Sequence, residues 1–296
     1  MAIQLEPPPL ASRALDTILE PATAVVLAWI AAVLLVVHSD PLLATLVALG
    51  AGGAFVAGMT GVGGAIVMIP LLFYVPPALG TGRLAIHEVT AITMVQVFAA
   101  AASGVAGHLR EGFVDRRLVE TLGSGMMTGS FAGAVVSRWL PAEALHAIFA
   151  ALAAAAALTL IVLGDRAPAE DAVHPPWRAS KGFPIALIVG LLAGAVGAGG
   201  AFLLIPLMLY VLRIPPRIVV GSSLAIALAG AAMGAAGKLA TGQIPFWPAL
   251  ALVSGALPAA QLGAAVSLRL PARSLRLVLA LLIAIVAVVM WVEVLR

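Results

Sequence analysis

Apolar runs long enough to cross a bilayer alternate along the chain with short polar breaks, and two of these runs are themselves interrupted by glycine. Windows able to cover roughly 30 Å of hydrocarbon as helix recur throughout, without the alternating ten-residue pattern of a porin barrel. The run at about 22–37 predicts a first span. Two groups of five helices follow, at about 41–58, 62–77, 85–106, 117–138 and 143–163, then at about 183–197, 199–213, 218–237, 247–268 and 273–294. Between the groups lies GDRAPAEDAVHPPWRASKG, a proline-rich polar stretch that reads as a linker. The predicted organisation is an N-terminal segment with an extra transmembrane helix (1–40), a first half (41–164), a cytoplasmic linker (165–182) and a second half (183–296).

The halves resemble each other in sequence. GMTGVGGAIVMIPLLFY begins at Gly58 and GAVGAGGAFLLIPLMLY at Gly194, an offset of 136 residues, and nine of the seventeen aligned positions are identical. Further on the offset becomes 130, where GHLREG at Gly107 meets GKLATG at Gly237. Such self-similarity marks internal repeats.

Composition agrees with the pattern. Hydrophobic residues make up 62% of the chain, charged ones 10%, and the mean hydropathy is +1.14, outside the range of soluble domains. There is no cysteine, which removes thiolate metal sites and thiol nucleophiles. A net charge of +3 reads as loop Lys and Arg that orient spans rather than as a nucleic-acid surface. If each glycine-broken pair enters and leaves on one face while the other three helices cross, the repeats are inverted. With a cytoplasmic N-terminus, twelve of the sixteen Lys and Arg then fall inside. The expected fold is an all-α polytopic membrane protein of two inverted repeats, with Gly-broken half-helices meeting near mid-membrane. Inverted repeats are the architecture of secondary transporters, because two similar halves can exchange conformations about a shared site.

Helix starts inside a membrane present N–H groups without intrahelical partners, together with the positive end of the helix dipole. Gly61, Gly63 and Gly64, with Gly197, Gly199 and Gly200, can bring those groups close to a small anion. Pro70 and Pro206 fall inside the helices that follow and predict a kink or hinge. The plain alternative is that the glycines only let helices pack closely. That reading is preferred for the stripe Gly125, Gly129, Gly133 and Ser137 and its counterpart Gly255, Ala259, Gly263 and Ser267.

The doubled G-x-G-G-x(5)-P pattern, followed in each half by a Ser/Thr-bearing helix (VTAITM at Val89, VGSSLA at Val220), resembles the TauE/SafE sulfite exporter family. The resemblance covers nearly the whole chain after residue 40. It implies a multi-pass carrier in a bacterial inner membrane, exporting sulfite, organosulfonates or related small anions, with no cofactor. The family's second-half G-[ST]-S-L element stands intact at Gly221–Leu224, whereas the first half has Ala91-Ile92-Thr93-Met94.

Thr93, Ser222 and Ser223 are candidate hydroxyl ligands, set against bonding to their own helix carbonyls. Gln96 and Gln261 are candidate pore-lining amides. HEVTA at His87 lacks the second histidine of a zinc-protease helix, so no metal site is expected. His87 and Glu88 are candidates for a proton-linked gate, and Lys238 for an outer mouth that attracts anions, against ordinary interfacial placement and snorkelling. The expected partners are a small anionic substrate and the lipid bilayer, with no nucleic acid and a homo-oligomer left open. An anion channel of the same architecture and, further off, an intramembrane enzyme are the competing functions.

Overall fold

A computed structural model describes residues 40–60, 64–110, 115–163, 179–214, 216–267, 281 and 283–292. The expected span at 22–37, the linker as far as residue 178, and Gly61 and Gly63 lie outside the described residues. Ten helices are described: α1 (Pro41–Thr60), α2 (Ala65–Ala78), α3 (Ile86–Arg110), α4 (Arg116–Val136), α5 (Ala142–Leu163), α6 (Ala179–Val196), α7 (Ala201–Pro206), α8 (Pro216–Ala240), α9 (Phe246–Ser267) and α10 (Ile283–Val292). A 3-10 turn, Ser137–Trp139, follows α4, and a π turn, Leu207–Val211, follows α7. Helix α6 begins at Ala179, inside the stretch read from sequence as linker.

Local chemistry accounts for the helix starts. The Asp115 carboxylate accepts from the Leu118 N–H at 3.0 Å and caps α4. Glu88 reaches back to the Ala85 N–H at 2.8 Å and caps α3. Helices α2 and α7 have no side-chain cap; each is preceded by a left-handed glycine, Gly64 at φ 73° and Gly200 at φ 75°. The prolines behave differently in the two halves. Pro70 lies in uninterrupted helix, whereas Pro206 ends α7 and a π turn takes over.

Two hairpins and two long pairings organise the bundle. In the α1–α2 hairpin Gly53 lies against Met68 and Gly64 against Ala57; in the α6–α7 hairpin Gly200 lies against Ala193. Helix α4 runs parallel to α6 in backbone contact, with Gly125 on Phe183, Gly129 on Leu187 and Gly133 on Leu191. Helix α9 runs parallel to α1 in the same manner, with Gly255 on Val47 and Gly263 on Phe55. These contacts repeat in the sequence offsets: Gly125 and Gly133 stand 130 residues before Gly255 and Gly263, and Val47 and Phe55 stand 136 before Phe183 and Leu191. A glycine stripe suits membrane helices, where close backbone approach and dispersion replace the hydrophobic drive.

Helices α3 and α8 cross the middle in antiparallel sense. Thr90 meets Lys238, Met94 meets Gly234, and Ala101 clusters with Leu224. Helices α4 and α8 run parallel, with Asp115 beside Ser222 and Ser130 beside Gly234.

Among the described residues four helices are long and apolar enough to cross a membrane, within Pro41–Met59, Ala142–Thr159, Ser222–Ala240 and Phe246–Gly263. Large apolar side chains such as Leu158, Val162 and Leu262 stand on the outer surface, as lipid-facing positions require. Among the described residues no strand occurs. The protein is an all-α, polytopic membrane protein.

Candidate functional site

Hydroxyls on helices within apolar surroundings ordinarily donate to a carbonyl three or four residues back. This bundle follows that habit: Thr90 donates to His87, Ser124 to Thr121, Thr128 to Ser124, Thr159 to Ala155 and Ser254 to Ala251. Two buried hydroxyls depart from it. Among the described residues Thr93 Oγ1 and Ser130 Oγ have no hydrogen-bond partner, and neither do Nε2 and Oε1 of the fully buried Gln96. A buried polar group left unpaired costs about 1–3 kcal/mol, so these groups require an explanation.

Their positions on α3 supply part of one. With Thr90 as reference and about 100° per residue, Met94 and Val97 lie within about 40° of it. That face meets the second-half turn: Gly197 abuts the Thr90 carbonyl oxygen, and a Cβ on Gly199 would lie 2.5 Å from Val97 Cγ1. Thr93 and Gln96 lie about 60° and 120° round, on the flank opposite Met94. Ala100, about 80° round on that flank, is buried with Ala54 of α1 and Ala256, Ala259 and Ala260 of α9. Thr93 and Gln96 therefore stand between the turn 197–200 and the α1–α9 pair, and Gln96 is close to the middle of α3.

The turn itself is built from left-handed backbone, with Gly197 at φ 76°, Gly199 at φ 62° and Gly200 at φ 75°. Gly197 has a packing duty as well, because no side chain fits between it and Thr90. After Gly200 the first N–H groups of α7 are helix-start donors without intrahelical partners, and no side chain caps them. In the first half Gly64 repeats the conformation at the start of α2. Among the buried described residues there is no Asp or Glu, so no fixed negative charge opposes an anion here.

Several expected site residues stand elsewhere. Ser222 and Ser223 are buried near the start of α8, where Ser222 Oγ accepts the Asp115 N–H at 3.0 Å. Since Leu224 is level with Ala101, they lie roughly 13 Å along the helix axis from Thr93, at about 1.5 Å per residue. Gln261 stands exposed on α9 and leaves the set. Lys238 was expected at an exposed mouth or interface; instead its side chain is fully buried, with the three N–H groups of Nζ shared among four oxygens, Thr90 Oγ1 at 3.0 Å, Ser137 Oγ at 2.7 Å, Ala195 O at 3.2 Å and Gln243 Oε1 at 3.2 Å. His87 and Glu88 stand at the same end: a His87 ring nitrogen bonds the Leu140 carbonyl at 3.0 Å, and Glu88 is the cap of α3. No group of metal-ligating side chains occurs among the described residues.

Sequence reasoning missed Ser130, Thr90 and Gln243, and read Ser137 as a packing residue of the stripe, whereas its Oγ lies against Lys238 Nζ. Ser130 sits one residue after Gly129 in the small-residue stripe, which reads as packing and masks a hydroxyl turned toward Gly234. Gln243 directly follows the GKLATG repeat and was readable as a polar loop residue only.

Comparison with known proteins agrees with this architecture. A probable membrane transporter protein of Bacillus subtilis, YunE, is 27% identical over 263 residues, covering 81% of this chain and 94% of its own. A second from the same organism, YdhB, is 25% identical over 217 residues, 71% of this chain and 84% of its own. A probable membrane transporter protein of Xylella fastidiosa (strain Temecula1) is 29% identical over 184 residues, 60% of this chain and 68% of its own. No solved structure matches. A family model described as sulfite exporter TauE/SafE matches residues 44–290. That family is one of non-catalytic transporters, and the match spans both glycine turns, the helices that carry Thr93, Gln96 and Lys238, and both long pairings: the chain belongs to the TauE/SafE family and is a multi-pass membrane transporter.

Proposed function

We propose that the protein is a secondary carrier that exports small sulfur-containing anions, sulfite or organosulfonates, across a bacterial inner membrane, and that its halves work as inverted repeats. The observation that carries this reading is the pair Thr93 and Gln96. They offer one hydroxyl and one amide donor group, fully buried near the middle of α3 and unpaired among the described residues. The turn that meets α3 is built on the left-handed glycines 199 and 200, Gly199 lying against Val97, and glycines carry no side chain over their backbone N–H groups. Such neutral donors, with no buried carboxylate nearby, favour the oxygens of a small anion over a cation. Inversion is supported by the antiparallel α3–α8 crossing and by the glycine contacts that recur at offsets of 130 and 136. Sulfite is preferred among anions because of the family's description.

Counterflow in proteoliposomes tests the carrier. Unlabelled sulfite inside the vesicles should accelerate entry of labelled sulfite. Equal entry into loaded and empty vesicles would make the protein a channel, and exchange of small carboxylates alone would move the substrate class. Inversion has its own test, because the chain lacks cysteine. Leu79→Cys and Val211→Cys, exposed at the ends of α2 and the π turn, should react with an impermeant reagent from opposite faces; reaction of both from one face would end the inverted arrangement.

A further inference from the structure

Lys238 is the one charged side chain among the buried described residues. Its four oxygen partners belong to four separate elements: α3, the 3-10 turn after α4, α6, and the loop between α8 and α9. All four are neutral, so among the described residues the ammonium has no counter-ion. Burying a charge on such terms is expensive in a membrane, and an apolar side chain of the same length would fill the space without that cost. A cation kept under these conditions points to use.

Its place indicates which use. Trp139 and Trp247 are exposed close in sequence to Ser137 and Gln243, as aromatic residues at a membrane interface are. The ammonium therefore lies near one surface of the bilayer, yet inside the bundle. Thr90, which it touches, precedes Thr93 by one turn of α3 and Gln96 by two, about 4.5 and 9 Å along the axis. Ala195, which it also touches, stands two residues before Gly197 and the turn. Lys238 thus ties together the helix ends that lie between the polar centre and that surface.

We propose that Lys238 is a charge-selecting gate on this side of the site: its four neutral oxygens hold the passage closed, and an anion arriving from Thr93 and Gln96 draws the ammonium off them by offering the missing negative charge. This inference rests on the anion reading of Thr93 and Gln96 and adds the element that would make opening depend on the substrate's charge. The substrate class is a small oxyanion, and an uncharged analogue of the same shape lacks the means to release the latch.

Methanesulfonate and uncharged methanesulfonamide are the probes, with flux measured in proteoliposomes and fold monitored by Tm. The parent should carry the sulfonate in strong preference. Lys238→Met should slow sulfonate flux by about ten-fold or more, the effect of losing a charge-assisted contact, and collapse the preference. Lys238→Arg should restore most of both. Ser137→Ala, which removes one of the latch oxygens and leaves the charge, should carry sulfonate at least as fast as the parent. Undiminished flux and preference in Lys238→Met would overturn the gate. So would losses of both substrates in equal proportion that track Tm in Lys238→Met, Lys238→Arg and Ser137→Ala, since that is the mark of a structural lysine. A parent that moves neither sulfonate nor any other anion fails at the earlier step and takes the anion reading down instead.

Discussion

At Gly129 in α4 a β-carbon would overlap the Leu187 carbonyl oxygen and come within 2.7 Å of the Leu191 nitrogen, whereas at Gly199 it would meet a side chain, Val97, at 2.5 Å on a backbone with φ 62°. Neither position admits a side chain readily, but the obstacles differ in kind. Gly129 stands in ordinary helix and what it touches is the rigid backbone of a neighbouring helix. Gly199 stands in left-handed backbone and what it touches is a flexible methyl group, with the unpaired Thr93 and Gln96 on the same helix as that methyl. Glycines of the first kind let helices approach; those of the second hold a turn in a backbone conformation that other residues rarely adopt. In a chain with 30 glycines, that distinction separates packing positions from turn positions.

The largest effect is expected at the stripe. Gly129→Ala should destabilise the protein by about 1–3 kcal/mol, the usual cost of overpacking, because neither backbone can yield. Tm should fall while the anion affinity of the folded fraction stays unchanged. Should affinity collapse with no fall in Tm, the stripe would belong to the site. At the turn, Gly199→Ala combined with Val97→Ala removes the clash but leaves the left-handed strain, about 1–3 kcal/mol. This double variant should lose affinity for sulfite, in contrast to Gly129→Ala, and retaining the parent's affinity would reduce Gly199 to a turn residue. The smallest effect is expected at Gly52, exposed on α1 with nothing near a built Cβ. There Ala should stabilise by about 0.5–1 kcal/mol through helix propensity alone, read as a small rise in Tm with unchanged flux.

The helices were legible because membrane spans announce themselves by length and apolarity: α3, expected at about 85–106, is observed at Ile86–Arg110, and α9, expected at about 247–268, at Phe246–Ser267. The second-half glycine turn was legible for a related reason, since a GxGG in an apolar run must interrupt a helix. The π turn after Pro206 was not, because Pro70 has the same sequence context and yields plain helix. Nor was the burial of Lys238. A lysine near a span end ordinarily snorkels, and only the tertiary placement of Thr90, Ser137, Ala195 and Gln243 supplies oxygens that hold it inside. Ser222 and Ser223 belong to the element the resemblance singles out, and their distance from Thr93 was not legible, because only the antiparallel crossing of α3 and α8 sets them near the opposite end from Lys238.

The central claim is that Thr93 and Gln96 are unpaired because they serve a ligand, and sulfite-induced thermal stabilisation of the parent, Thr93→Val and Gln96→Leu tests it most directly. Both substitutions replace an unpaired buried polar group by an apolar one of similar size, so without sulfite each variant should be at least as stable as the parent. With sulfite each should bind about ten-fold to a hundred-fold more weakly, the loss of one hydrogen bond to a charged partner. Unchanged sulfite affinity in both variants, or a loss of stability without sulfite large enough to account for weakened binding, would contradict the account.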